Sequence, residues 1–534
     1  MNNQNLHYIA LTIGPIYETM SYCKKTRELW AGSYFFSLFM KKLILKLSQE
    51  NIQFEVPYVP ENISDAKFEI GVFHDRFIAK SELKKEELQS RLEKRISETL
   101  HEMCKEILKD ENAYEALKEY LQYHYIIATK EELLNSTLKE NVIFAIDAVL
   151  DSLELQNSFS YNNSSNIYKQ KSEKSKSSFE NESFKELINP VAKLQYEADR
   201  LKKDQNINYK FKSIPEIALV QIFENEKFKE FDFTNYKGED NLDDYDLLYS
   251  ELEKYDKKNK LKTLKHHHRY YAVVSADGDK MGKKIRTNPD DITTISQNIY
   301  NYITQEEQKE QIQPLQNIFE DFGGMLIYAG GDDMLGFLPI FGKNNEAFLS
   351  VLKELSQKFN NVVGNDVSLS FGVSINYYKS PMINAIHSAH HMLFDVAKKH
   401  NTNSRSGSIS ISLTKHSGQS LETTFFLTDD SYTKYKELFE DEVSGRLSLP
   451  HSIQYSMKGY ENLFIDIFTN GTNVNTRLDS TFKRLVQDDS QKNELSSSLE
   501  EIKNYLKVIQ PKCDKEYQKF IAQLAIIKFL RGDR

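Results

Sequence analysis

Tyr328–Phe337 reads YAGGDDMLGF, and upstream Ser275–Gly282 reads SADGDKMG. In each stretch aspartates follow an apolar run beside glycine, the pattern of a buried strand ending in a tight turn. The first predicts a hairpin, Met325–Ala329 and Met334–Leu338, around Gly-Gly-Asp-Asp. The second predicts a strand, Tyr270–Ala276, ending at Asp277 and followed by a glycine turn that opens a helix. Adjacent carboxylates raise each other's pKa and stay ionised only with a cation between them. A third carboxylate from a neighbouring strand completes an oxygen-rich set for Mg²⁺ or Mn²⁺, as two-metal phosphoryl transfer requires. The plain alternative is a solvated hairpin turn with no chemistry.

Working outward, Leu352–Asn360 reads as helix, Val367–Ile375 (VSLSFGVSI) as a strand containing Gly372, Met382–His400 as helix, and Ile409–Leu413 as the last strand. This β-α-β-β-α-β order is the ferredoxin-like arrangement of palm domains. Towards the N-terminus, Tyr8–Ile13 is a strand, Thr19–Ser48 one long helix, Lys67–Ile78 a strand pair and Lys80–Lys109 a charged helix, which make a second α+β unit. The expected fold class is therefore α+β: two palms with helical connecting and C-terminal domains. The expected boundaries are 1–155 for the first palm, 156–183 for a flexible polar insertion, 184–265 for a helical connection, 266–425 for the second palm and 426–534 for a helical domain. The insertion, rich in Ser, Asn, Lys and Glu, has too few apolar positions to offset its ordering entropy.

The 534 residues suit roughly three or four domains, and 30 Tyr with 32 Phe supply much of the packing area. A net charge of −9 argues against whole-surface attraction to free nucleic acid, while a local basic groove stays open. The three cysteines, Cys23, Cys104 and Cys513, form neither a CxxC knuckle nor a disulfide framework, which suits a reducing cytoplasm. No stretch reaches 18 apolar residues and the N-terminus lacks a basic leader, so neither a membrane span nor export is expected. Arg531–Asp533 (RGD) reads as a charged tail.

Asp277, Gly278, Asp332 and Asp333 are the expected metal-binding positions, with Asp333 also a proton acceptor for an attacking 3′-hydroxyl. Asp277 and Asp332 stand 55 residues apart, room for crossover helices that return both to one end of the sheet. Gly278, Asp279, Lys280, Met281 and Gly282 present a strand–turn–helix N-terminus to a triphosphate. Asp279 reads as a helix cap ahead of a ligand. Gly330 and Gly331 admit φ > 0 and close approach of substrate. Lys398 and Lys399 either neutralise phosphate charge or are a solvated helix C-terminus favoured by the dipole; Lys280 and Lys283 carry the same two readings. His266–His268 reads as a solvated linker, because consecutive residues point in different directions. His74–Asp75 lies within strand sequence and lacks the further ligands of a metal nuclease site.

YYAVVSADGDKMGK, YAGGDDMLGFLP, VSLSFGVSI and AKKHNTN resemble the second palm of the large subunit of type III CRISPR–Cas effector complexes, in the Cmr branch. LTIGPIYETMSYCKKTRELWAGSYFFS resembles that subunit's first palm, with its TR-x-LWAGS helix, and VFHDRFIA stands where the family has a PNRF-like strand. GGDD alone would also fit a diguanylate cyclase; the two palms and the LWAGS helix set that reading aside. The resemblance implies guide and target RNA and other effector subunits as partners, ATP as substrate and two divalent ions. The implied product is cyclic oligoadenylate, or AMP joined to S-adenosylmethionine. The other reading is a silent scaffold that grips RNA. By the same resemblance Arg27 and Ser33 are acceptor-side contacts, although Arg27 equally suits an ion pair; Trp30 reads as core. TIGP in place of an Asp-terminated strand implies a first palm without metal ligands. The family's HD nuclease domain and four-cysteine zinc site are expected to be absent.

Overall fold

Where apolar runs are short and bounded by glycine or charge, this chain makes strands; where apolar residues recur at helical spacing, it makes helices. The computed structural model describes residues 6–61, 63, 68–137, 139, 141–157, 191, 194, 197–207, 210–233, 245–304, 315–415, 417–446, 453–485 and 492–532. Two units emerge: residues 1–211, 281–314 and 327–332 form one, and residues 212–280, 315–326 and 333–534 the other. They cut across the sequence-based boundaries. The polar insertion lies outside the described residues from 158 onward.

In the first unit β1 (His7–Gly14), β2 (Gln53–Val56), β3 (Arg76–Ser81) and β4 (Gln122–Thr129) form a sheet of order β2-β3-β1-β4. All three pairings are antiparallel. This is the ferredoxin-like order, and β1, central in the sheet, is buried from Ile9 to Ile13. The Thr26–Ser48 helix is buried nearly all round through Met40, and its small Ser33 and Ser37 let Gly71 approach closely. A second core joins Ala10, Ile78 and Ala128 of the sheet to Val142, Ile146 and Leu150 of the Val142–Asn157 helix. The returning Ile292–Thr304 helix adds Ile292 to it, and Ser296 Oγ accepts the Tyr58 N–H at 2.7 Å.

Three expectations are corrected here. The single helix over Thr19–Ser48 is two, Ile16–Ser21 and Thr26–Ser48. The buried Glu28 carboxylate accepts the Lys24 N–H at 2.8 Å and so starts the second helix afresh. The strand pair over Lys67–Ile78 is one strand from Arg76, its described upstream part being irregular apart from a bridge at Gly71. The charged helix begins at Lys85, since Lys80 and Ser81 still belong to β3.

The second unit is built on β5 (Tyr270–Asp279), β7 (Asp333–Pro339), β8 (Ser368–Tyr377), β9 (Ser408–Thr414) and β10 (Ser420–Phe426). With β6 (Met325–Gly330), which leads into the GGDD turn, the sheet order is β10-β9-β8-β5-β7-β6. The run β8-β5-β7-β6 repeats the ferredoxin-like order, and β9, expected as the last strand, is followed by β10 pairing antiparallel with it. The Met382–His391 helix lies almost on the backbone of β8: a Cβ at Gly372 would stand 2.1 Å from the Ala389 carbonyl oxygen. From Asp430 the described chain is helical.

His266–His268 is not a solvated linker. It forms a short turn in which His267 and His268 are 4% and 3% exposed. Lys265 N–H donates to His268 Nδ1 at 2.8 Å, which leaves the proton on Nε2, 3.0 Å from Gln221 Oε1. Burial pushes the His268 pKa down to about 3, and His267 well below its usual value.

Candidate functional site

The last paired residues of β5 and β7 are Ala276 and Met334, so antiparallel register brings the next pair, Asp277 and Asp333, to the same end of adjacent strands. Asp333 is exposed and Asp277 partly buried. On the other side of β5, Asp277 faces Ser370 and Asp279 faces Ser368 of β8. Asp332 precedes Asp333 in the turn and groups with the first unit.

Lys398 enters this corner. Its ammonium donates to the Gly278 carbonyl at 2.6 Å, pairs with Asp279 Oδ1 at 3.0 Å and contacts Asp277 Oδ2. Burial works against the charged ammonium, but the two carboxylates outweigh it and hold the Lys398 pKa above the usual lysine value. The helix immediately before it takes a π turn, Met392–Ala397. One extra residue in that turn rotates the succeeding residues by about 100° relative to an unbroken α-helix. Lys398 is thereby aimed at the carboxylates, whereas Lys399 forms an exposed pair with Asp395 at 2.7 Å. Lys399 takes the solvated reading.

Asp279 is not a helix cap. It is buried, and its Oδ2 accepts from Ser368 Oγ at 2.9 Å, Ser370 Oγ at 2.7 Å and the Gly407 N–H at 2.8 Å. Its Oδ1 accepts from Asn401 Nδ2 at 2.9 Å in addition to Lys398. Both oxygens are committed to β8 and the loop before β9. Asn401, Ser368, Ser370 and Gly407 went unrecognised as site residues in the sequence, although serine at alternate positions of an otherwise apolar strand was a signal for them. Lys280 takes the left-handed conformation, φ +63°, and turns the chain into the Met281–Thr287 helix. Met281 is buried; in the first unit, Gly282 lies beside Phe144, which a Cβ would meet at 3.6 Å.

The remaining candidates belong to the first unit. Of the two turn glycines, Gly331 takes φ > 0, at +67°, while Gly330 does not. Arg27 pairs with Asp199 at 3.4 Å, Ser33 is 7% exposed, and Trp30 is fully buried with its Nε1–H donating to the Glu69 carbonyl at 2.8 Å.

Asp277 and the Gly278 carbonyl already grip an ammonium, so the oxygens at the end of β5 fit a cation, and hard oxygen donors suit Mg²⁺ or Mn²⁺. Among the described residues no group of three or more His, Cys, Asp or Glu side chains is gathered to hold a metal. Nor is any described helix long and apolar enough to cross a membrane.

Two family models match. Residues 270–406, which hold β5 to the loop before β9, match Cas10/Cmr2, second palm domain. Residues 8–109 match CRISPR-associated protein Cmr2, N-terminal. The CRISPR system Cmr subunit Cmr2 of Pyrococcus furiosus is 33% identical over 152 residues. That similarity covers 24% of this chain and 17% of the relative, a small part of its length. Among solved structures, a type III-B Cmr-beta chain in the apo state is similar with a TM-score of 0.56 and 12% identity, over 99% of this chain and 82% of that one. The type III-B Cmr-beta structure bound to cognate target RNA gives 0.53 and 12%, over 99% and 83%. At such identity the structural likeness is one of fold. The N-terminal and second-palm segments are thus matched in chain order, each on its own ferredoxin-like sheet, and over those two stretches the chain is similar to the Cas10/Cmr2 family.

Proposed function

We propose that this chain is the nucleotidyltransferase subunit of a type III CRISPR effector complex, activated by target RNA and making a nucleotide messenger from ATP. The observation that carries this reading is the corner at the end of β5, where Asp277 and the Gly278 carbonyl hold a cationic group beside Asp333. Asp277, the Gly278 carbonyl, Asp332 and Asp333 would hold Mg²⁺ or Mn²⁺. A divalent ion there supplies Lewis-acid polarisation of the triphosphate and lowers the pKa of an attacking hydroxyl. Lys398, which follows the π turn and enters the corner, orients and neutralises the phosphates. Asp333, exposed at the strand end, takes the hydroxyl proton. Cyclic oligoadenylate and AMP joined to S-adenosylmethionine are both products of this chemistry, since each begins with attack on ATP and loss of pyrophosphate. Similarity in fold to a Cmr-beta structure bound to cognate target RNA supports target RNA as a partner, and guide RNA and companion subunits complete the proposed assembly.

A silent scaffold is the second reading. In it the palm holds the complex together and grips RNA without turning over ATP. Reconstituted complex with target RNA is expected to consume ATP only with a divalent ion, and Asp332→Ala with Asp333→Ala to abolish consumption while assembly persists. Equal turnover in that variant overturns the site, and absence of turnover in the parent complex selects the scaffold. Mass spectrometry of products from ATP, without and with S-adenosylmethionine, identifies the acceptor.

A further inference from the structure

The motifs VFHDRF and LWAGS are both left without a role by the proposed chemistry, and in the first unit they meet at the GGDD turn. The Thr26–Ser48 helix presents Ser33 and Ser37, one helical turn apart, to Gly71; a Cβ on Gly71 would lie 3.3 Å from each. Ser37 Oγ accepts the Val72 and Phe73 N–H groups at 3.0 and 2.8 Å. Trp30 Nε1–H holds the Glu69 carbonyl, and the Asp75 carbonyl accepts the Ile13 N–H at 2.9 Å. The segment from Glu69 to Asp75 is therefore fastened to the helix at one end and to β1 at the other.

That fastened segment runs beside the strand entering the GGDD turn. Gly71 bridges Tyr328 in parallel, and the Ala329 N–H donates to the Gly71 carbonyl at 3.1 Å. At Gly331 the fit is closest. A methyl group there would stand 1.9 Å from His74 Cε1 and 2.6 Å from Nδ1. The imidazole fills the volume in which Gly331 has no side chain, so glycine is required twice, by its left-handed φ and by the ring. Burial lowers the His74 pKa to about 4, so a neutral ring packs on the turn at pH 7.

We infer that His74 is a positioning residue for the GGDD turn, holding Gly331 and hence the two aspartates beyond it. The kinetic part rests on the nucleotidyltransferase reading; the packing part does not. In full-length chain within its assembled, target-RNA-bound complex, His74→Ala is expected to lower kcat about 10-fold with KM for ATP within about twofold. Hydrogen exchange of the Tyr328–Gly331 amides is expected to rise about 10-fold in the same protein. A cycle with Gly331→Ala tests the contact itself: Gly331→Ala raises exchange far more on the parent than on His74→Ala, because removing the ring relieves the clash. His74→Asn, smaller and still polar, serves if the alanine variant does not fold, with the same exchange readout. Unchanged exchange, or effects that multiply independently within twofold, overturn the inference. If the Asp332 and Asp333 substitutions abolish turnover while His74→Ala leaves kcat and exchange untouched, the inference falls and the proposed reaction stands. If those aspartates prove dispensable, the reaction falls and the exchange cycle still decides His74.

Discussion

Neighbouring lysines with opposite environments show what single residues do here. Lys398 is partly buried against two carboxylates, and Lys399 is exposed beside Asp395. Replacing Lys399 by Gln is expected to change stability by less than about 0.5 kcal/mol in urea denaturation, as for other exposed pairs. Asp279→Ala is expected to cost about 3 kcal/mol, because Ser368, Ser370, Asn401, the Gly407 N–H and the Lys398 charge all lose a buried acceptor. A loss below about 1 kcal/mol in the same measurement refutes that account. That Asp277 and Asp333 share one end of the sheet was legible in the sequence, since each aspartate stands at a glycine turn directly after or before a buried apolar run. The commitment of Asp279 was not, because its partners come from β8 and the Asn401–Gly407 loop, about 90 to 130 residues away. The two lysines looked alike on an α-helical count, which the π turn invalidates.

Strands and helices were readable where their patterns were long. The β6–β7 hairpin stands where its turn residues put it, and the Thr26–Ser48 helix takes up most of the span read from periodicity, short of the break after Ser21. β2 has only four residues and β4 comes after charged helical sequence, so neither carried a pattern of its own; β1 and β3 recruit them by pairing. Gly372 is an element-level requirement: its missing side chain sets how closely helix and strand pack. Gly372→Ala is expected to destabilise by about 3 kcal/mol, the range for forcing atoms into a filled contact, since backbone atoms at Ala389 and Leu393 stand in the way. Denaturation with an unchanged m-value and a lowered midpoint is the expected signature. A midpoint equal to the parent's refutes the close approach.

For the molecule as a whole, acid sensitivity is expected from buried histidines, His267 and His268 in the second unit besides His74 in the first. His267 and His268 have folded pKa values below the usual 6.5, that of His268 about 3. Between those values the unfolded chain binds more protons, so stability rises with pH there and drains away as pH falls below about 6.5. Each histidine contributes at most about 1.4 kcal/mol per pH unit. A His267→Gln, His268→Gln chain is expected to show a shallower fall in stability between pH 6.5 and 4 than the parent; parallel curves refute it. The two-palm class was legible in the sequence, whereas the division into two compact units was not. The described residues 281–304 and 327–332 group with the first unit although the sequence before and after them groups with the second, and no local pattern records such a return. The same return explains why Gly331 has a neighbour as remote as His74. A lineage carrying this turn can discard the imidazole first and afterwards tolerate a left-handed asparagine where the glycine was, but the reverse path crosses a steric barrier. Across relatives, then, loss of the histidine should precede loss of the second glycine, and the ancestral order of the two exchanges is fixed by the space one ring occupies.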